Sequence, residues 1–125
     1  MGLATSYMYE HEAKPKRERE DSARGGKTAY GTAAEKVADA AGVSLSDDDR
    51  KKAGSAIHWT LGAAGGAAYS IVKGDDSTID PLAALGFGTA FWGVMDEAVP
   101  PALGLTPGPD AFPLETHVRG LIGHL

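Results

Sequence analysis

From Ala53 to Val72 twenty successive residues carry no formal charge, and lysines stand at both ends, Lys51 and Lys52 before the run and Lys73 after it. At about 1.5 Å per helical residue this length matches the hydrocarbon thickness of a bilayer. The run is filled with small side chains: Gly54, His58, Gly62, Gly66 and Ser70 recur every four residues, and Gly62 to Gly66 reads Gly-Ala-Ala-Gly-Gly. A four-residue ridge of small side chains lets a second backbone approach closely, which in lipid is the small-xxx-small mode of helix association. Its hydrophobicity is only moderate, so a buried helix in a water-soluble protein is the competing reading.

Signals of helix start and stop surround this run. Ser46 followed by Asp47, Asp48 and Asp49 gives a capping residue and an acidic first turn that complement the helix dipole. Before it, Ala29, Tyr30, Ala33, Val37 and Ala41 recur at spacings of one, three and four residues, predicting an amphipathic helix that Gly42 terminates. After it, Gly74-Asp75-Asp76-Ser77-Thr78 reads as a polar turn, and Asp80-Pro81 opens another helix. Leu82 to Met95 is again uncharged and rich in small residues, and ends on Asp96, Glu97 and the helix-breaking pair Pro100-Pro101. Five prolines between Pro100 and Pro113 predict an irregular segment, and a last helix starts near Pro113 with His117, Arg119 and His124.

The N-terminal part reads differently. Met1 to Tyr9 is nearly apolar but too short to span a bilayer, and it lacks the basic region and cleavage site of a secretory signal. Glu10 to Lys27 is charged and punctuated by Pro15, Gly25 and Gly26, which predicts a solvated linker or a frayed helix end. Lys14 to Glu20 could pass for a nuclear-localisation or heparin-type patch, but its glutamates dilute the positive field. His11 lies in this charged stretch and receives no role. The resulting division is residues 1–26 as a partial apolar start and linker, and residues 27–125 as a helical membrane domain.

Composition removes several function classes. The 125 residues contain no cysteine, which excludes disulfides, thiolate metal sites and thiol nucleophiles. A net charge of −5 gives no basic excess for nucleic acid. No nucleophile–base motif has a recognisable context, and Gly86-Phe87-Gly88 lacks the later glycine of a dinucleotide loop, so the chain reads as a non-enzyme without cofactor. Seventeen glycines beside three Phe, two Trp and four Tyr make a poor water-soluble core, whereas small residues suit close packing in lipid. The mean hydropathy of −0.20 is low for a multi-span protein, so any membrane signal is local.

Ten of the twelve Lys and Arg residues fall between Lys14 and Lys52, while the turn from Gly74 to Asp80 has acidic residues and no basic one. The positive-inside rule therefore places the N-terminal half in the cytoplasm. Two antiparallel spans about a turn near Ser77 would bring His58 level with Asp96, and with Glu97 and His117 these form a polar layer near the cytoplasmic face. Ionisable groups at such depth pair with one another or line a water-filled cavity, and imidazoles beside carboxylates suit a proton relay or pH sensor. The plain alternative is that Asp96 and Glu97 reach interfacial water while His58 and His117 make structural hydrogen bonds between helices. A divalent ion could also use these donors, but no spacing is diagnostic and no metal is assigned.

In the order of its elements the chain resembles the YagU-like family of uncharacterised bacterial inner-membrane proteins. Lys51 to Gly62, with its histidine before a glycine, is similar to the family's second span. Gly86 to Pro101 with Trp92, Asp96-Glu97 and the proline pair, followed by Leu103-Gly104-Leu105, is similar to its third span and exit. His117 and His124 stand where a fourth span would begin, so the chain looks truncated at both ends relative to the family. The resemblance implies an inner-membrane location and a loose association with acid tolerance.

Together these readings predict an all-α protein, a small bundle of Gly/Ala-rich transmembrane helices preceded by an amphipathic helix. Its expected role is structural or accessory, with Gly54, Gly62, Gly66 and Ser70 packing against the bilayer's other helices, a second copy or other membrane subunits. A proton-handling or transporter-like protein using His58, Asp96, Glu97 and His117 is the second reading, and a soluble helical interaction domain the third.

Overall fold

The computed structural model describes residues 2–74, 78 and 80–125, and among them the regular structure is entirely helical. Seven α-helices are described: α1 (Leu3–His11), α2 (Lys14–Arg24), α3 (Ala29–Ala40), α4 (Asp47–Lys73), α5 (Pro81–Trp92), α6 (Val99–Ala102) and α7 (Leu114–Ile122). A π-helical turn, Gly93–Ala98, joins α5 to α6, and a 3₁₀ turn, Pro109–Ala111, precedes α7. The chain divides into two compact units, Lys27–Thr78 and the pair of segments Met1–Gly26 with Ile79–Leu125.

The first unit is a hairpin of α3 and α4. Thr28 caps α3 by accepting a hydrogen bond from the Gly31 amide, and Gly42 at φ 74° carries the chain out of it. Ser46 caps α4 by accepting from the Asp49 amide, with three aspartates in the first turn, as the sequence predicts. The two helices cross where glycine meets glycine. A Cβ built on Gly54 would lie 2.8 Å from the Gly31 nitrogen and 3.0 Å from its Cα, so only a bare backbone fits. Ala34, on the same helix as Gly31, is buried.

The second unit gathers α1, α2, α5, α6 and α7. The charged stretch Glu10 to Lys27, expected as a linker or frayed end, instead contributes the last turn of α1 and all of α2. Its lysines, arginines and glutamates are strong helix formers, and Pro15 falls in the first turn of α2, where proline's missing N–H costs nothing. Gly25 at φ 58° ends that helix. The proline-rich stretch is more regular than expected, holding α6 and the 3₁₀ turn. Close approaches need glycine at Gly88, where a Cβ would meet the His124 carbonyl oxygen, and at Gly120, where it would meet the Trp92 indole nitrogen at 2.9 Å.

Among the described residues no helix is long and apolar enough to cross a membrane. With 27 residues α4 has the length, but glycine and alanine supply too little hydropathy, and α5 has only twelve residues. The polar turn expected around Ser77 lies outside the described residues except for Gly74, Thr78 and Asp80.

Candidate functional site

Pro100 and Pro101 shape the ground on which the polar residues stand. Each lacks an amide hydrogen, and in a regular helix its ring would press on the carbonyl four residues earlier, at Asp96 and Glu97. The helix widens instead: the Val99 amide donates to the Val94 carbonyl five residues back, closing the π turn. Asp96 and Glu97 lie on this turn, beside α7.

Glu97 meets His117, with Oε1 2.7 Å from Nδ1, while the imidazole's other nitrogen, Nε2, lies 3.0 Å from the Pro109 carbonyl oxygen. Phe112 stands edge-on to the ring at 6.4 Å. Both ring nitrogens of His117 are thus engaged, and the side chain joins the π turn, the 3₁₀ turn and α7. Asp96 approaches His124, whose Nδ1 is 3.9 Å from Oδ2 and 2.9 Å from the Gly120 carbonyl oxygen, with Phe91 5.9 Å from that ring. Three residues of the expected polar layer, Asp96, Glu97 and His117, therefore belong to one unit, with His124 as an additional member. His58 belongs to the other unit, where it is exposed on α4, 5.1 Å from the Tyr30 ring and 6.3 Å from that of Trp59.

The expected packing ridge divides in the same way. Gly54 is the crossing point with α3, whereas a Cβ on Gly62 or Gly66 would meet nothing within 4 Å among the described residues. Ser70 is exposed and its hydroxyl donates to the Gly66 carbonyl at 3.0 Å.

The most buried charges are ones to which the sequence reading assigned no role. Arg119 on α7 is 4 % exposed and Glu20 on α2 1 %. The Arg119 guanidinium donates to both Glu12 and Glu20 and lies over the Tyr9 ring, 5.0 Å from its centroid. Glu20 also accepts from the Thr116 hydroxyl at 2.8 Å and from Arg24 Nε at 3.0 Å. Burial pushes the Glu20 carboxyl up, but the bonds from Arg119 and Thr116 and the Arg24 charge outweigh it and hold the carboxyl below the ordinary glutamate value. Around this cluster Lys16 pairs with Glu115, and Arg19 donates to the carbonyls of Asp110 and Ala111. The basic residues of the Lys14 to Glu20 patch are thus mostly occupied within the unit. One signal was available: Arg119 is the lone Lys or Arg after Lys73.

Among the described residues no three His, Asp or Glu side chains converge on a place for a metal ion. No family model, no curated protein and no solved structure matches the chain.

Proposed function

We propose that this chain is a non-enzymatic accessory protein that works at a bilayer, burying the uncharged halves of α4 and α5 in lipid or against neighbouring membrane helices. One observation carries the reading. From Gly62 onward α4 is apolar or small nearly all round, and α5 has no charged face, yet most of their side chains remain open to solvent, with Ile71 80 % and Leu82 80 % exposed. A helix apolar on every side belongs in a core or a membrane, and the described residues supply little of the former. Removing Trp59, Ile71, Val72 and Leu82 from water would contribute on the order of 6 kcal/mol.

The small residues at Gly62, Gly66 and Ser70 fit this reading as contact points for a helix outside the chain. Lysines at 51, 52 and 73 suit the headgroup level at either end of the run. The resemblance of Lys51 to Gly62 and of Gly86 to Leu105 to YagU-like inner-membrane proteins points the same way, as does the excess of basic residues before Lys52 for a cytoplasmic N-terminal half.

Membranes from cells expressing the chain, washed with alkaline carbonate and then extracted with detergent, test the proposal. Retention through the wash with release only by detergent is expected. Recovery of a folded, monodisperse chain in the soluble fraction would overturn it and favour a helical interaction domain.

A further inference from the structure

α7 is amphipathic, but its polar face is the one turned inward. Arg119 is buried against Glu12 and Glu20, the Thr116 hydroxyl donates to Glu20, and Gly120 lies beside the Trp92 indole. The opposite side carries Leu114, Val118 and Leu121, with Leu125 just past the helix, at spacings of four, three and four. That spacing is the a/d repeat of a seam between two helices. Leu114, Val118 and Leu125 are exposed, Leu114 to 72 %, and Ile122 beside them is exposed too.

α1 widens this face. It runs antiparallel to α7, with Glu12 at Arg119 and the Thr5 methyl near Gly123, and it leaves Leu3 and Tyr7 exposed. A cleft of about 350 Å³ between the two helices, lined by Tyr7, Met8, Leu114 and Val118 among others, has room for an apolar side chain. We propose that the α1–α7 face is the contact surface of a homodimer, buried against the same face of a second copy.

Area, charge and shape select this occupant. The exposed parts of Leu3, Tyr7, Leu114, Val118, Ile122 and Leu125 amount to roughly 300–500 Å² of apolar surface. A standard interface buries about 800 Å² per subunit, a little over half of it apolar, so the face is the right size. Glu12 and Glu115, the carboxylates that line the cleft, are paired within the chain to Arg119 and Lys16, so the middle of the face brings no uncompensated charges together. A bilayer fits this face less well. A helix lying in a membrane surface carries lysine and arginine on its polar side, whereas α1 has neither and the one arginine of α7 is buried. Pairing like face with like face closes at two copies. It uses neither α4 nor α5, so it stands apart from their burial in lipid.

Size exclusion with light scattering tests the dimer on the full-length chain at micromolar concentration, in whichever of buffer or detergent keeps it monodisperse. A protein mass twice the chain's 12.9 kDa is expected. Leu114→Glu puts a charge on the seam where the isolated chain leaves the side chain open to solvent, so the fold should persist while the dimer Kd rises about thirtyfold or more. Ile71→Glu, on the exposed part of α4, should leave the dimer intact. A monomeric wild type, a dimer that survives Leu114→Glu, or equal dissociation by Ile71→Glu would overturn the proposal. Should Leu114→Glu fail to fold, Val118→Cys decides, since the chain has no other thiol. Its labelling by a maleimide should slow as the chain is concentrated, and a rate independent of concentration would refute the pairing. Leu114→Glu should also stay with carbonate-washed membranes as the wild type does, so failure of the dimer and failure of the bilayer reading show separately.

Discussion

Replacing Gly54 by alanine puts the α3–α4 crossing under a strain that no side-chain rotation can relieve. The new methyl would lie 2.8 Å from the Gly31 nitrogen, 3.0 Å from its Cα and 3.1 Å from the Tyr30 carbonyl carbon, all backbone atoms. Carbon atoms pack best about 3.5–4.0 Å apart, so the helices must separate by roughly half an ångström or more. Overpacking of this kind costs about 1–3 kcal/mol. Against it stands the gain of about 1 kcal/mol from replacing glycine by alanine inside a helix. The same gain applies to Gly62→Ala and Gly66→Ala, where the methyl meets open space. Comparing these variants with Gly54→Ala cancels the propensity and isolates the steric cost, about 1–3 kcal/mol. Urea unfolding followed by circular dichroism would read the difference. Gly54→Ala unfolding at the same midpoint as Gly62→Ala would refute the close crossing. The gain at Gly62 and Gly66 belongs to the isolated chain. Pressed against a helix in a bilayer, the added methyls would weaken association, so the sign of their effect there reports whether that face is covered.

Arg119→Met should destabilise the unit containing α7 by about 3–5 kcal/mol, because it leaves Glu12 and Glu20 buried without their guanidinium. A loss below about 1 kcal/mol in denaturant titration would show the cluster to be far more hydrated than its burial indicates. Acid should erode the same cluster. The Glu20 carboxyl is held below its ordinary value of 4.5, so its contribution is present above that value and is lost as pH falls through the lower folded value. Thermal melts below about pH 4.5 should therefore decline less steeply for Glu20→Gln than for the wild type, and parallel declines would count against the assignment.

Helix starts were the most legible part of the sequence because they depend on neighbours. Ser46 with its aspartates before α4 and Asp80-Pro81 before α5 rest on bonds within a few residues, and each cap is present. The charged stretch was harder to read. Pro15 and the two glycines look like punctuation in a linear reading, yet Pro15 opens α2 and Gly25 closes it. What makes α2 more than a solvated helix is Glu20, whose partner Arg119 is 99 positions away, and no local pattern announces such a pair. The polar layer was legible as residue types but not as partners. Asp96, Glu97 and His117 were singled out, while His124 joins them only because the π turn, itself a consequence of Pro100 and Pro101, presents adjacent carboxylates to α7. The glycine ridge of α4 likewise revealed a packing tendency, but Gly88 and Gly120, whose close approaches lie between distant segments, did not stand out from it.

The second unit is assembled from two stretches of chain with Lys27–Thr78 between them, which imposes an order on synthesis. The α3–α4 hairpin can close as soon as its own residues have left the ribosome. Glu12 and Glu20, by contrast, wait for an arginine 107 and 99 positions later. At about 5–20 residues per second, that interval lasts roughly 5–20 s. Throughout it Glu12 lacks Arg119 and Glu20 has the Arg24 guanidinium of its own helix alone, a nascent state that a chaperone or a membrane surface has time to engage before Arg119 arrives.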